Sequence, residues 1–398
     1  MKNLCKKTGI ISVLMGFTVL LFLSPVAADS GPIKVGLLAP MTGPSPDWGK
    51  KQIVAMEVAL EKINLRGGVN GTPVEMYALD TGGDPAKTLE AYRELANSDQ
   101  VLAVIGPFMS RAFEALRPAT NEEKVCIIAT ASAQPGLSDL SKYPYAFRMT
   151  TSSGKSEGAS AKAWLKAHPI KTVVVIYEGK DPYCSAIGKN LWPKMFADMN
   201  VEVLDKKDPI LFSRGETAFT EQLNLLKKHN PDGICIAGMP PDAANLIKAI
   251  RNQGFKQPIL GSSSMATETL IKMAGKDAEG VVSNTLFNPG DPNPKVTDYV
   301  KNFTKRCNKT YTDVSCQSDQ FDVVVYDILQ FVVDIMKKKG ITGDPAQLEE
   351  NRNRIRDGLA GMKMWRGTAG MMAFDKKGDG IRTIHIMEVK NGKWQPVY

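Results

Sequence analysis

The chain has few of the residues that bond-making chemistry requires. Histidine occurs three times in 398 residues, at His168, His229 and His385. His168 and His229 adjoin prolines where helices are expected to end, which suits solvated side chains at helix C-termini. No HExxH or GxGxxG occurs, so the zinc-protease helix and the dinucleotide turn lack support. No Cys-x-x-Cys pair is present, which disfavours a cysteine zinc site and a thioredoxin-type centre. Gly43–Lys51 comes nearest to a phosphate loop, but five residues separate Gly43 from Gly49, and Lys50 is followed by Lys51 and not by Ser or Thr. Asp375–Asp379 lacks the distal glutamate of a calcium loop and reads as a turn. An enzyme is not expected, and neither is a metal or a cofactor.

Charge of one sign is also in short supply. The net charge is +8, and without the three lysines of residues 1–28 it is 50 − 3 = 47 basic against 42 acidic residues, or +5. Such a balance points to no nucleic-acid partner. The lone basic run, Lys337–Lys339, suits a helix C-terminus. At 43% hydrophobic and 23% charged residues, the composition excludes a disordered chain and a polytopic membrane protein.

What is present begins at the N-terminus. Lys2, Lys6 and Lys7 precede an apolar run from Ile10 to Leu23, and Val26-Ala27-Ala28 follows before Asp29. A charged start, a short apolar middle and small residues at −3 and −1 predict a secretory signal cleaved after Ala28. The run is short for a bilayer span, which needs about 20 residues. The mature protein is therefore expected outside the cytoplasm, periplasmic or extracytoplasmic. Five cysteines follow Ala28. Cys126 and Cys235 lie in apolar runs and suit a core. Cys307 and Cys316 flank a polar stretch and can pair in an oxidising compartment, or remain free.

Apolar strand-like runs alternate with segments of helical period. Strands are predicted at 33–39, 74–79, 101–105, 125–129, 172–177, 233–237, 257–260 and 280–283. Several are continuously apolar, as strands covered on both faces are. Between them, Ile53, Met56, Leu60 and Ile63 recur at three-to-four spacing, and the longest such segment is Phe321–Met336. This alternation predicts an α/β fold of mostly parallel sheets flanked by helices. The strands divide into two groups, one ending near Thr150 and one beginning near Lys171, with a polar crossover at Thr150–Gly154. The tail reads as an antiparallel addition around Asn391-Gly392, a strong hairpin dipeptide.

Ligands of open α/β sheets bind beyond the C-terminal ends of strands. The loops there are 40–48, 106–110 and 130–135 in the first group, and 178–183, 238–242 and 261–264 in the second. They are rich in Gly, Ser and Pro and add two rings, Trp48 and Tyr183. That inventory suits a small polar ligand in a cleft.

At these loops the sequence resembles the solute-binding proteins of branched-chain-amino-acid-type ABC importers. The marks are Ile33-Lys-Val-Gly-Leu-Leu-Ala-Pro-Met-Thr-Gly43, Gly67-Gly68-Val69-Asn70-Gly71, Val104-Ile-Gly-Pro107 with Ser110, Phe147-Arg148, and Phe374-Asp375 with Gly378-Asp379. The resemblance implies a two-lobed type I periplasmic-binding-protein fold with three crossovers. Lobe 1 would be 29–150 plus 287–365, and lobe 2 would be 151–286 plus 366–398. It implies a small-molecule ligand, a membrane ABC permease as partner, and a monomer. A periplasmic sensing module for a separate signalling partner is the other role open to such a chain.

Carried over, the first-lobe contacts fall on Trp48, Ser110, Ala131 and Ala133. The second-lobe contacts fall on Tyr183, Met239 and Ser263, with Gln317. In amino-acid-binding members a Ser hydroxyl and backbone N–H groups hold the carboxylate, and a Thr and a Glu hold the ammonium. Here Ser110 is kept, but the Thr position is Ala133 and the Glu position is Ser263. A buried ammonium without a carboxylate partner is strongly penalised. The expected ligand is thus an aromatic or aliphatic organic acid, with Trp48 and Tyr183 able to stack on a ring and Arg111 able to pair with a carboxylate. The alternative is a true amino acid, with Asp181, Asp242 or Asp319 replacing the missing Glu. Arg148 is expected to serve the crossover by a salt bridge and not to touch the ligand.

Overall fold

The computed structural model describes residues 31–397 except 44, 45 and 135. The expected signal segment, 1–28, lies outside the described residues.

A five-stranded sheet is built from β1 (Ile33–Ala39), β2 (Val74–Asp80), β3 (Ala103–Ile105), β4 (Cys126–Ala129) and β5 (Ala146–Arg148), in the order β2-β1-β3-β4-β5. All four pairings are parallel. Parallel neighbours require a crossover, and the helices Pro46–Leu65, Pro85–Arg93 and Ser110–Glu123 supply it, covering both faces. The cores on those faces are separate. Val35 and Leu37 join one, and Leu38 and Val104 join the other, as the strand period of two demands.

The second sheet has eight strands: β6 (Thr172–Glu178), β7 (Glu202–Val203), β8 (Ile210–Phe212), β9 (Gly233–Ala237), β10 (Ile259–Gly261), β11 (Val281–Thr285), and the tail pair β15 (His385–Lys390) and β16 (Lys393–Pro396). Its order is β16-β15-β11-β10-β9-β6-β7, and β7 and β8 share one edge of β6, pairing with its beginning and its end. β15 pairs antiparallel with β11 and with β16. The turn joining β15 to β16 is Asn391-Gly392, with φ of 54° and 68°, as a two-residue hairpin needs. A third, small antiparallel sheet is formed by β12 (Trp365–Gly367), β13 (Gly370–Phe374) and β14 (Gly380–Arg382).

The expected boundary at residue 366 is corrected by this small sheet. Ala369, Met372 and Phe374 are buried in the core of the first sheet, and Asp379 bridges to Arg148 of β5. The chain rejoins the second sheet only at His385. The physical reason is that the apolar face of β13 finds its partners on the helix Gln320–Lys338, beside Phe331. β5, β7, β8 and the small sheet are not among the strands predicted above.

The chain passes between the two sheets three times, after β5, after β11 and after β14. Arg382 ties these passages together. Its backbone N–H donates to Thr151 Oγ1 at 3.2 Å and its Nη2 donates to Leu286 O at 3.3 Å. Burial pulls its pKa down to about 10, against the nearby charge of Asp327.

Cys307 and Cys316 are joined by a disulfide with Cα atoms 5.5 Å apart. It closes the turn between the helices Pro294–Thr310 and Gln320–Lys338. Cys126, Cys184 and Cys235 are free and buried. No helix among the described residues is long and apolar enough to cross a membrane.

Because the bridge closes a loop of sequence separation 9, replacing both cysteines by serine removes an unfolded-state constraint of about 2–3 kcal/mol. The double variant is expected to unfold at lower urea concentration than the wild type, read by circular dichroism. An unchanged midpoint contradicts this.

Candidate functional site

The first-sheet half of the site is assembled around three rings. Trp48 lies in the first turn of the helix Pro46–Leu65, stacked on Phe108 with centroids 4.9 Å apart and tilted against Phe321 at 5.1 Å. Close approach sets this geometry. A Cβ on Gly49 would stand 2.2 Å from Pro40 O, so only glycine lets this helix start so near the end of β1. Gly106, at φ +104°, likewise passes 2.3 Å from Leu38 O at its would-be Cβ and delivers Phe108 to the cluster.

Ser110 is the first residue of the helix Ser110–Glu123. The N-cap is Met109, whose side chain caps nothing. The helix start therefore carries backbone N–H groups with no side-chain cap, together with the positive end of its dipole. Ser110 Oγ accepts a long 3.4 Å bond from Gln134 N. Ala131 and Ala133 lie in the half-buried loop after β4. Ala133 O accepts from Ser153 N at 3.2 Å and from Ser153 Oγ at 3.1 Å. Arg148 secures the same loop. Its Nη1 donates to Ser132 O and Gln134 O, each at 2.6 Å, and its Nε pairs with Asp379 at 2.5 Å.

The second-sheet half holds Tyr183, Met239 and Ser263. Tyr183 OH and Ser263 Oγ are 2.8 Å apart and hydrogen-bonded. Met239 is the N-cap of the helix Pro240–Asn252 and half-buried; its side chain caps nothing. The halves meet at the start of the helix Gln320–Lys338. Gln320 Nε2 donates to Ser263 O at 3.1 Å, while its Oε1 accepts from Leu286 N at 3.0 Å. The next residue, Phe321, is the ring against Trp48. Gln317, the expected contact, is exposed, and the residue that reaches the second lobe is Gln320, three positions on and buried.

Arg111 is exposed and donates to Gly83 O at 3.0 Å, so its guanidinium is spent on a neighbouring loop. The three candidate acids are also engaged. Asp181 caps the turn Pro182–Ser185 through Cys184 N and stands 3.5 Å from Arg214. Asp242 accepts from Gly215 N at 2.9 Å. Asp319 caps the helix Gln320–Lys338 and pairs with Lys51 at 2.5 Å, with Asp322 behind at 3.3 Å. Burial works against the Lys51 charge, but the two carboxylates more than offset it and hold its pKa above the ordinary value.

One acid was not singled out in the sequence. Glu157, in the helix Ser153–Ala167, is fully buried. Ser263 N donates to its Oε1 at 2.9 Å and Asn284 Nδ2 to its Oε2 at 3.2 Å, with Tyr183 close by. None of these partners is a cation, and burial pushes its pKa up to about 7 despite the hydrogen bonds. The sequence held one sign of it: Glu157 shares the spacing of Ser153, Ser160, Ala161 and Trp164, an acid on an otherwise buried face. Two surface recesses, one around Lys34 and Leu348 and one around His168 and Asp232, contain none of these residues.

The Glu157 carboxyl makes stability depend on pH. Between its ordinary value of 4.5 and about 7, the folded chain keeps a proton that the unfolded chain has lost. Its contribution therefore falls as pH rises through that window, by about 3 kcal/mol. The melting temperature of wild type minus that of E157Q is expected to decrease from about pH 4.5 to about pH 7 and then level off. A flat difference contradicts the assignment.

Comparison with known proteins agrees with this architecture. A family model described as periplasmic binding protein matches residues 32–393. The Leu/Ile/Val-binding protein of Citrobacter freundii is 26% identical over 253 residues, 63% of this chain and 66% of that protein. Among solved structures, the branched-chain amino acid transporter substrate-binding protein LivJ of Streptococcus pneumoniae, in complex with isoleucine, superposes with a TM-score of 0.76. It is 22% identical, over 92% of this chain and 98% of that one. A solute-binding protein of an ABC transporter from Rhodopseudomonas palustris, in complex with 3,4-dihydroxybenzoic acid, gives 0.75 at 20% identity, over 92% and 96%. The chain belongs to the periplasmic binding protein family, in the branched-chain-amino-acid type that serves ABC transporters.

Proposed function

We propose that this protein is the extracytoplasmic receptor of an ABC importer for a small organic acid without an α-ammonium group. The ligand lies between Trp48, Ser110, Ala131 and Ala133 on one side and Tyr183, Met239 and Ser263 on the other. Its carboxylate takes the Ser110 hydroxyl and the N–H groups of the helix start, where the dipole favours an anion. Its body lies against Trp48, which Phe108 and Phe321 hold in place.

The observation that carries this reading is the occupation of the candidate acids. Asp181 and Asp319 each serve a helix start and face a cation, Arg214 or Lys51, and Asp242 holds the Gly215 amide, so each already has a partner other than the ligand. The fold likeness does not choose, because the solved neighbours hold isoleucine in one case and a hydroxylated benzoate in another. A second reading, a true amino-acid receptor, draws on Glu157, a carboxyl without a cation behind Tyr183 and Ser263.

In either case the protein binds as a monomer and delivers its ligand to a permease without transforming it. The ligand favours the closed form by touching both lobes, so it adds differential contacts that the open form lacks.

Isothermal titration of the mature protein with leucine, isoleucine, benzoate and 4-hydroxybenzoate separates the readings. Binding of the benzoates without binding of leucine is the expected result; tight leucine binding overturns the organic-acid assignment. S110A is expected to weaken benzoate binding by about 1–2 kcal/mol, the loss of one charge-assisted hydrogen bond. Small-angle scattering is expected to show compaction when ligand is added.

A further inference from the structure

The wall that the second lobe offers to the ligand is made of two hydroxyls with no fixed direction. In the Tyr183–Ser263 bond, 2.8 Å long, either oxygen can be the donor. Both residues are half-buried, and Glu157 stands next to the pair, its Oε1 accepting from Ser263 N at 2.9 Å. A hydroxyl carries one proton, and where it points that proton decides what it shows on its other side. If the group behind the pair accepts, the hydroxyls point inward and present lone pairs to the cleft. If the group behind donates, they point outward.

Resting on the cleft reading above, we propose that Glu157 is a positioning residue that sets the hydrogen-bonding polarity of this wall, selecting ligands with a distal donor when ionised and ligands with a distal acceptor when protonated. It touches no ligand itself. The geometry restricts its freedom to this role. Ser263 N holds Oε1, Asn284 Nδ2 holds Oε2, and Ser263 is pinned from the other lobe through Gln320 Nε2 at its carbonyl. The carboxyl therefore has one variable left, its proton.

The surroundings allow that proton to come and go. From the short helix Pro182–Ser185 the titratable neighbour is Tyr183, and from β9 it is Cys235; both feel the Glu157 charge and both are driven upward by burial, so they remain neutral. Asn284 of β11, Ser263 and Ser160 are neutral, and among the described residues no lysine, arginine or histidine is hydrogen-bonded or ion-paired to the carboxyl. With burial raising its pKa to about 7, the carboxyl exchanges its proton with water in the neutral range. Asn284 provides the complement. Its Nδ2 donates to Glu157 Oε2 and to Ser160 Oγ, each at 3.2 Å, which holds the amide in this sense and leaves the proton of the neutral acid to face the hydroxyl pair.

The same feature makes E157Q a fair test. Glutamine fills the same volume, accepts from Ser263 N, and carries two amide protons, one for the unpartnered Asn284 Oδ1 after the amide turns and one left for the hydroxyl pair, where the protonated acid also donates. Two measurements decide. In the ligand-free protein, carbon-13 spectra of labelled Glu and Tyr are expected to show the Glu157 carboxyl and the Tyr183 ring titrating with one midpoint near neutrality, and the Tyr183 step vanishing in E157Q. A Tyr183 signal indifferent to Glu157 overturns the proposal, whether or not any acid binds.

In the second measurement, wild type is titrated with 4-hydroxybenzoate, whose distal group donates, and with 4-formylbenzoate, whose distal oxygen only accepts. The ratio of the two affinities is expected to move about tenfold toward 4-hydroxybenzoate between about pH 6 and about pH 8, the worth of one hydrogen bond. In E157Q it is expected to stay at its low-pH value throughout. An identical pH profile in wild type and E157Q overturns the proposal. Failure of both benzoates to bind wild type overturns the organic-acid reading, and the ligand-free titration then decides the polarity relay by itself.

Discussion

The buried ammonium of Lys51 between Asp319 and Asp322 is the interaction on which the rest of the site depends. It joins the helix that carries Trp48 to the first turn of the helix Gln320–Lys338. That turn presents Phe321 to one lobe and Gln320 to the other. A buried ion pair adds little net stability over an apolar substitute, but breaking one side of it strands a charge, so its geometry is strongly enforced. Asp319 also caps the helix, and Asp322 completes the capping box by accepting from Asp319 N at 2.7 Å. One cluster thereby specifies the helix start, the orientation of Trp48 and the place where the lobes touch.

The two walls differ in how they are built. The first-lobe wall is closely packed: three rings in contact, glycines at Gly49 and Gly106 that admit no side chain, and a loop held by Arg148. It offers a fixed anion-favouring helix start. The second-lobe wall is polar and adjustable, two hydroxyls in front of a buried carboxyl. On the proposed function, orientation would come from the first wall and discrimination from the second.

The three passages between the sheets are bound to one another through Arg382, while Gln320 spans from Leu286 to Ser263. Both are long, buried polar side chains satisfied by backbone groups of different segments. Such contacts tie the crossover segments together where the chain passes between the lobes. A ligand that bridges the lobes acts at a longer lever.

The order of strands and helices was legible because its physical cause is local. Continuous apolar runs such as Ile33–Ala39 and Gly233–Ala237 can be satisfied only by burial on two faces, and Asn391-Gly392 suits a hairpin wherever it lies. Trp48, Ser110, Tyr183 and Ser263 were legible as loop residues after strands. Short strands such as β5 and β8 were not. Gln317 was taken where Gln320 acts, because which side of a helix start faces the other lobe is a matter of rotation that spacing does not reveal. Glu157 went unread for the strongest reason: its significance lies in its neighbours, Ser263 and Asn284, which are 106 and 127 residues away. The amino-acid sequence by itself thus determined the α/β alternation and the places of the loops after the strands, because period and turn propensity are properties of neighbouring residues. The tertiary structure alone decided which charges are spent and which carboxyl is left without a cation, because desolvation and pairing exist only once distant segments are brought into contact.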